Sequence, residues 1–254
     1  MNRAWLVALA ACGSSPAAPH LDGGPGATDA HPIDAARAAD AVAAPDGSPG
    51  PYRHAIVIDG SDDFVPAEVF ATTSSPSYGA RIAWDGANLY LGYTGPDLDP
   101  GVANASTKWV FAYLDVDPGA RTGAATSLTY NTQHATFPTG FGAEYYLRWK
   151  CDGTLASLEK FDGTGWAPAS TAPNSAHGTQ YMEMAIPRAA LGNPATLGVV
   201  TWMINEQDLA ESSYAGLYAG NFTDGYAANL ALAKYLRIDF ASTAAPNDPA
   251  NAAP

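Results

Sequence analysis

The sequence predicts an all-β protein, an antiparallel β-sandwich of jelly-roll-like character set between a disordered N-terminal tether and a short C-terminal tail. Three observations carry this. Apolar residues alternate with a period of two, not 3.6, from about residue 53 to residue 242. The alternating runs are short and bounded by Gly, Pro, Asn and Asp. Only 15% of the 254 residues are charged, whereas Gly (25), Pro (20) and Tyr (13) are abundant, as suits an exported β protein. An apolar fraction of 47% with six Trp is enough for a sizeable core, so residues 53–242 read as one domain.

The elements follow in order. Ala80–Trp84 and Asn88–Tyr93 flank Asp85-Gly86-Ala87 and form a hairpin. Lys108–Asp117 is a long strand, and Glu144–Lys150 and Ser157–Phe161 flank a turn at Cys151-Asp152-Gly153. Asp162–Trp166 is a further turn. Tyr181–Pro187 is a strand that its proline terminates. Arg188–Gly192, after a proline and closed by a glycine, is the one helical candidate. Leu197–Asn205 and Lys234–Phe240 complete the domain. There is no internal repeat and no Gly-Lys-Ser/Thr phosphate loop.

Residues 1–12, MNRAWLVALAAC, carry Arg3, an apolar run from Trp5 to Ala11, and small residues before Cys12. This resembles the lipobox of bacterial lipoprotein signal peptides, which implies a lipidated Cys12. Residues 13–52 are the tether: Gly13–Pro51 has no aromatic residue, and its five Asp face one base, Arg37. Such a composition cannot offset its ordering entropy. Residues 243–254, TAAPNDPANAAP, read as the tail. The expectation is a monomer anchored in the cell envelope through its lipid. Gly13 after the cysteine points to the outer membrane of a Gram-negative host. With Cys12 lipidated, Cys151 stands alone.

A net charge of −13 argues against nucleic acid, whose binding needs clustered Lys and Arg, and against an electrostatic membrane-surface site. After the first dozen residues no run approaches the ~18 apolar residues of a membrane helix.

Five segments occur in a telling order: Asp59-Gly60-Ser61-Asp62-Asp63-Phe64, ARIAWDGANLYLGY (80–93), KWVFAYLD (108–115), YMEMAIPRAAL (181–191) and LGVVTWMINE (197–206). Over about residues 56–240 this order resembles the family 9 carbohydrate-binding modules and the wider DOMON-like sandwich group. The resemblance implies a sandwich that binds sugars, often near calcium, with some haem-binding relatives. The segment Thr122–Gly142 is longer than that pattern requires.

In the strand 108–115, Val110, Ala112 and Leu114 share one face and Trp109, Phe111 and Tyr113 the other. The aliphatic face suits an inter-sheet core. The aromatic face is either a second buried layer beneath the 122–142 loop or one wall of a ligand groove. On the groove reading, the expected contacts to an oligo- or polysaccharide are Trp109, Phe111, Tyr113 and Trp149, with Glu144 and Arg148 as hydroxyl partners. Asp115 and Asp117, before Pro118-Gly119, could start a calcium site, although paired Asp residues also form turns.

Catalysis is not expected. Glu144, Glu183 and Glu206 lie on different strands with nothing to pair them, there is no Gly-x-Ser-x-Gly elbow, and His54, His134 and His177 are unconnected. Met182, Met184 and Met203 could serve a haem, but they alternate with core positions. The function that the resemblance implies is noncatalytic carbohydrate binding. The alternatives are a haem-binding domain, a structural envelope protein, and last a glycoside hydrolase.

Overall fold

The computed structural model describes residues 49–206 and 211–254. Residues 1–48, which hold the expected signal, Cys12 and most of the tether, lie outside that range. The described residues build the expected antiparallel sandwich. Its five-stranded sheet runs β1 (Val69–Phe70), β2 (Gly79–Trp84), β3 (Asn88–Thr94), β10 (Tyr181–Pro187), β9 (Asn174–Gly178). The larger sheet runs β15 (Ala252–Ala253), β14 (Tyr235–Asp239), β11 (Thr196–Asn205), β4 (Lys108–Asp115), β6 (Tyr145–Lys150), β7 (Ala156–Phe161), β8 (Trp166–Pro168). On β11 sits β12 (Ser212–Tyr214), while β5 (His134–Thr136) and β13 (Asn229–Ala231) form a separate parallel pair. The candidate helix is a single 3-10 turn, Arg188–Leu191, and no described helix is long and apolar enough to cross a membrane.

The two-residue period fixes the layers. Between the sheets, Ile82, Trp84, Leu89, Leu91, Met184 and Ile186 face Val110, Ala112, Leu114, Leu147, Trp149 and Val199, all buried. Each Val, Leu, Ile or Met among them contributes about 1.5–3 kcal/mol by leaving water. The Tyr93 hydroxyl, enclosed in this core, shares its one proton between Thr201 Oγ1 (3.1 Å) and the Ala215 carbonyl (3.2 Å), so burial leaves it satisfied.

The outer face of the larger sheet is covered as well. The expected long loop and the segment around β13 together form a cap: Tyr130, Phe137 and Phe141 from the loop and Leu230 and Leu232 from the segment pack on Phe111, Tyr113, Tyr146 and Trp202. Buried Asn221 pins the cap, accepting from the amides of Ala233 (2.8 Å) and Lys234 (2.9 Å) and donating to the Leu217 carbonyl (2.8 Å).

Residues 52–65 cross the outer face of the smaller sheet. Ordered packing starts at Tyr52, one residue before the expected boundary, with its ring 5.2 Å from Trp84. Ile56 and Phe64 then pack on Ala83, Tyr90, Tyr181 and Ala185. Fully buried Glu183 anchors the crossing, accepting from the amides of Asp59 (2.7 Å) and Gly60 (2.6 Å) and from the Tyr181 hydroxyl (2.8 Å). Gly60 has φ +90, and a Cβ there would lie 2.3 Å from the His177 carbonyl oxygen. Gly60→Ala is therefore expected to cost ~2 kcal/mol or more, read as a lower urea midpoint at unchanged slope.

The C-terminal segment corrects an expectation. Residues 243–254 are not a loose tail: Ala252 and Ala253 pair with Leu236 and Tyr235 at the sheet edge. Asn247 Nδ2 donates to the carbonyls of Pro66 (2.9 Å) and Val69 (3.1 Å). An Ala/Pro/Asn segment has little to bury, but its backbone and amide groups can complete an edge built by others.

Candidate functional site

The aromatic face of strand 108–115 is buried beneath the cap. Trp109 is 9% exposed, Phe111 2% and Tyr113 1%, and only a dent of about 10 Å³ lies beside Phe111 and Trp202, room for one water at most. Tyr113 stacks on Tyr146 (centroids 4.5 Å apart) and on Trp202 (5.6 Å), and its hydroxyl accepts from the Leu128 amide at 3.1 Å. Trp149 points the other way, into the inter-sheet core, at 1% exposure. These four rings are structural and form no open groove wall. Arg148 is committed to Glu159 (3.1 Å) and Ser157 (3.2 Å) at the sheet surface. Met182, Met184 and Met203 are likewise sealed in the core.

Glu144 belongs elsewhere. Antiparallel register pairs Leu114 with Tyr145, which sets Glu144 beside Asp115. Oxygens of Asp115, Asp117 and Glu144 all lie within 4.8 Å of one another. Asp115 is fully buried and accepts from the amides of Gly142 (2.8 Å) and Asp117 (3.0 Å). The Thr122 hydroxyl lies 2.9 Å from Asp117 Oδ2 and 2.8 Å from Glu144 Oε1, while Asp117 Oδ1 is shut from water with no partner. Burial, with Glu144 and Asp117 adding repulsion, pushes the Asp115 carboxyl up to about 6. Burial also raises Glu144, and the Asp117 charge adds to it. An all-oxygen, doubly strained acid cluster fits a hard cation such as calcium.

A more open cavity among the described residues lies on the other side of the molecule, where the sequence pointed to no site. A groove of about 300 Å³ crosses the outer face of the smaller sheet, at the lower end of small-ligand sites. Ile56 and Ile58 form one wall, Ala172 and Asn174 the other, and Tyr90, Ala185, Asn88 and Pro187 the floor and end. The register explains its depth: Ala185 is paired with Tyr90 on one side and Asn174 on the other, so a methyl sits between two larger side chains.

Its polar end is pre-set. The Tyr90 hydroxyl donates to Asp85 Oδ2 (2.8 Å) and accepts from Asn88 Nδ2 (3.2 Å), and Asp85 Oδ1 holds the amides of Ala87 and Asn88. Burial, reinforced by the bond to Asp85, pushes the Tyr90 phenol up to about 12, so it stays a neutral donor. The lining contains no cation and no carboxylate.

No family model matches the chain, and no curated protein matches it. Among solved structures it is similar to a carbohydrate binding module family 9 (CBM9) from Caldicellulosiruptor kristjanssonii in complex with cellotriose. The identity is 12% and the TM-score 0.38, over 71% of this chain and 91% of that chain.

Proposed function

We propose that this chain is a noncatalytic carbohydrate-binding domain whose ligand lies in the groove on the smaller sheet. The observation that carries this is the groove's lining: two side-chain amides and one phenol set among Ile56, Ile58, Ala185 and Pro187. A phosphate or carboxylate ligand would find no cation there. A neutral polyhydroxylated ring offers apolar C–H faces to the walls and hydroxyls to Asn88, Asn174 and Tyr90. The groove also lacks the two opposed carboxylates that glycoside hydrolysis needs. Envelope anchoring through Cys12 belongs to the same reading, and palmitate incorporation lost in Cys12→Ser supports it, whereas equal labelling removes it.

Titration calorimetry against cello-, xylo- and mannotriose tests the groove. Asn174→Ala, which deletes a rim amide, is expected to weaken binding ~5–10-fold, the worth of about one net hydrogen bond. Ala185→Leu fills the floor and is expected to abolish measurable binding while the melting temperature holds within a few degrees. Undiminished affinity in Ala185→Leu would place the ligand elsewhere.

A second proposal concerns the acid cluster, which we read as a structural calcium site held by Asp115, Asp117 and Glu144 with help from the Thr122 hydroxyl. The unpartnered Asp117 Oδ1 favours it, because a bound cation would satisfy that oxygen and relieve the mutual repulsion.

A further inference from the structure

The edge strand β9 has two faces with different tasks. Outward, it carries Asn174, the groove's rim. Inward, His177, opposite Met182 in the register, reaches across to the other sheet, its ring 5.6 Å from Trp149 at an interplanar angle of 63°. Both ring nitrogens are shut from water, and neither has a hydrogen-bond partner. The fit is close on the far side: a Cβ on Gly153 would touch the ring at 3.3 Å, so glycine there leaves room for the imidazole. The strand is gripped at its end as well, since a Cβ on Gly178 would meet the Gly60 carbonyl oxygen at 2.2 Å.

The groups around the ring offset only part of the cost of a positive charge there. From the turn after β6, Asp152 is the charge that acts on it, but Thr154 holds Asp152 Oδ1 and Lys150 Nζ lies 3.4 Å from Oδ2. Cys151 in the same turn is fully buried, and burial keeps its thiol protonated. Leu98, from the 96–98 turn, offers a backbone carbonyl that favours the charged ring, while its neighbour Asp97 is bonded to Lys108, Tyr78 and Tyr214. Trp149 and Met182 bring no charge, and Glu183 sits on the opposite face of β10. Desolvation accordingly holds the His177 imidazole below its ordinary range.

We propose that β9 is an acid-released latch: charging His177 detaches this edge strand from the second sheet and carries Asn174 away from the groove. That it controls a ligand rests on the groove reading above. The latch itself is tested without any ligand. The sign follows from linkage: the open strand binds the proton better than the closed one, so opening grows as pH falls below the ordinary histidine value of about 6.5.

The experiment has two readouts on the whole chain. An NMR titration of the imidazole, assigned with His177→Gln, is expected to place its midpoint below 6.5. Hydrogen exchange at Asn174–Gly178, corrected for the intrinsic pH dependence, is expected to accelerate up to ~30-fold between pH 7.5 and 5.0, the limit set by 1.5 pH units below that reference. Amides paired between β3 and β10 should not follow. His177→Gln and His177→Leu should remove the acceleration. A midpoint at or above 6.5, an unchanged exchange rate, or an acceleration that persists in both variants would overturn the latch. If neither variant folds, the wild-type titration and exchange still decide it. Loss of the latch leaves the groove untouched, and a groove that binds no sugar leaves the latch standing.

Discussion

Tyr113→Ala is expected to lower the melting temperature by ~8–16 °C, since emptying a buried aromatic site costs about 4 kcal/mol and each kcal/mol is worth ~2–4 °C in a domain of this size. The reason is the ring's position between two layers. It stacks on Tyr146 and Trp202, lies 5.0 Å from Phe137 of the cap, and receives the Leu128 amide on its hydroxyl. Alanine removes all four contacts and leaves that amide without its acceptor. Tyr113→Phe isolates the hydroxyl and is expected to cost ~1 kcal/mol. Both effects should appear by calorimetry. Had this face been a sugar platform, truncation would have weakened binding and spared the fold. A stably folded Tyr113→Ala with impaired sugar binding would reverse the assignment of the cap.

Calcium is expected to raise the melting temperature, and its removal by a chelator to expose an unusual pH dependence. With no cation bound, the raised carboxyl of Asp115 favours the protonated form in the folded state. Its contribution is therefore most favourable below the unfolded value of 3.8 and is lost as pH rises through about 6. Metal-free protein should be less stable at pH 7 than at pH 5 by ~1 kcal/mol from Asp115, with Glu144 acting in the same direction. Calcium at a hundred times its dissociation constant returns about 2.7 kcal/mol. Glu144→Gln deletes one of the crowded charges. It should stabilise the metal-free protein at pH 7, flatten its pH profile and abolish the calcium response. Identical melting curves with calcium and with chelator, in protein whose profile is already flat, would show that the cluster is only a turn.

What the sequence made legible follows from how local each feature is. The hairpin of β2 and β3 announces itself through Asp85-Gly86 between two alternating runs, and β10 ends where Pro187 says it should. β5 and β13 were missed because each has three residues and pairs only across the fold, His134 opposite Asn229. The alternation on β4 correctly separated an aliphatic face from an aromatic one. It left open whether the 122–142 loop or a ligand covers the second, since the cover is completed by Leu230 from a distant segment as well as by Phe137 and Phe141 of that loop. Glu144 and the groove share a cause of their own. Both depend on register, the one opposite Asp115 and the other on the narrow Ala185 between Tyr90 and Asn174. Side-chain type alone marked Glu144 as a sugar contact and passed over Ala185 altogether.

The central claim is that the ligand surface lies on the smaller sheet, away from the capped aromatic face. Amide and side-chain NMR shifts during titration with the same three trisaccharides test it most directly. Saturable perturbations are expected at Asn88, Tyr90, Asn174 and Ala185, with Phe111, Tyr113 and Trp202 unmoved. Shifts concentrated at Phe111, Tyr130 and Trp202 would contradict the claim and return the site to the face beneath the cap.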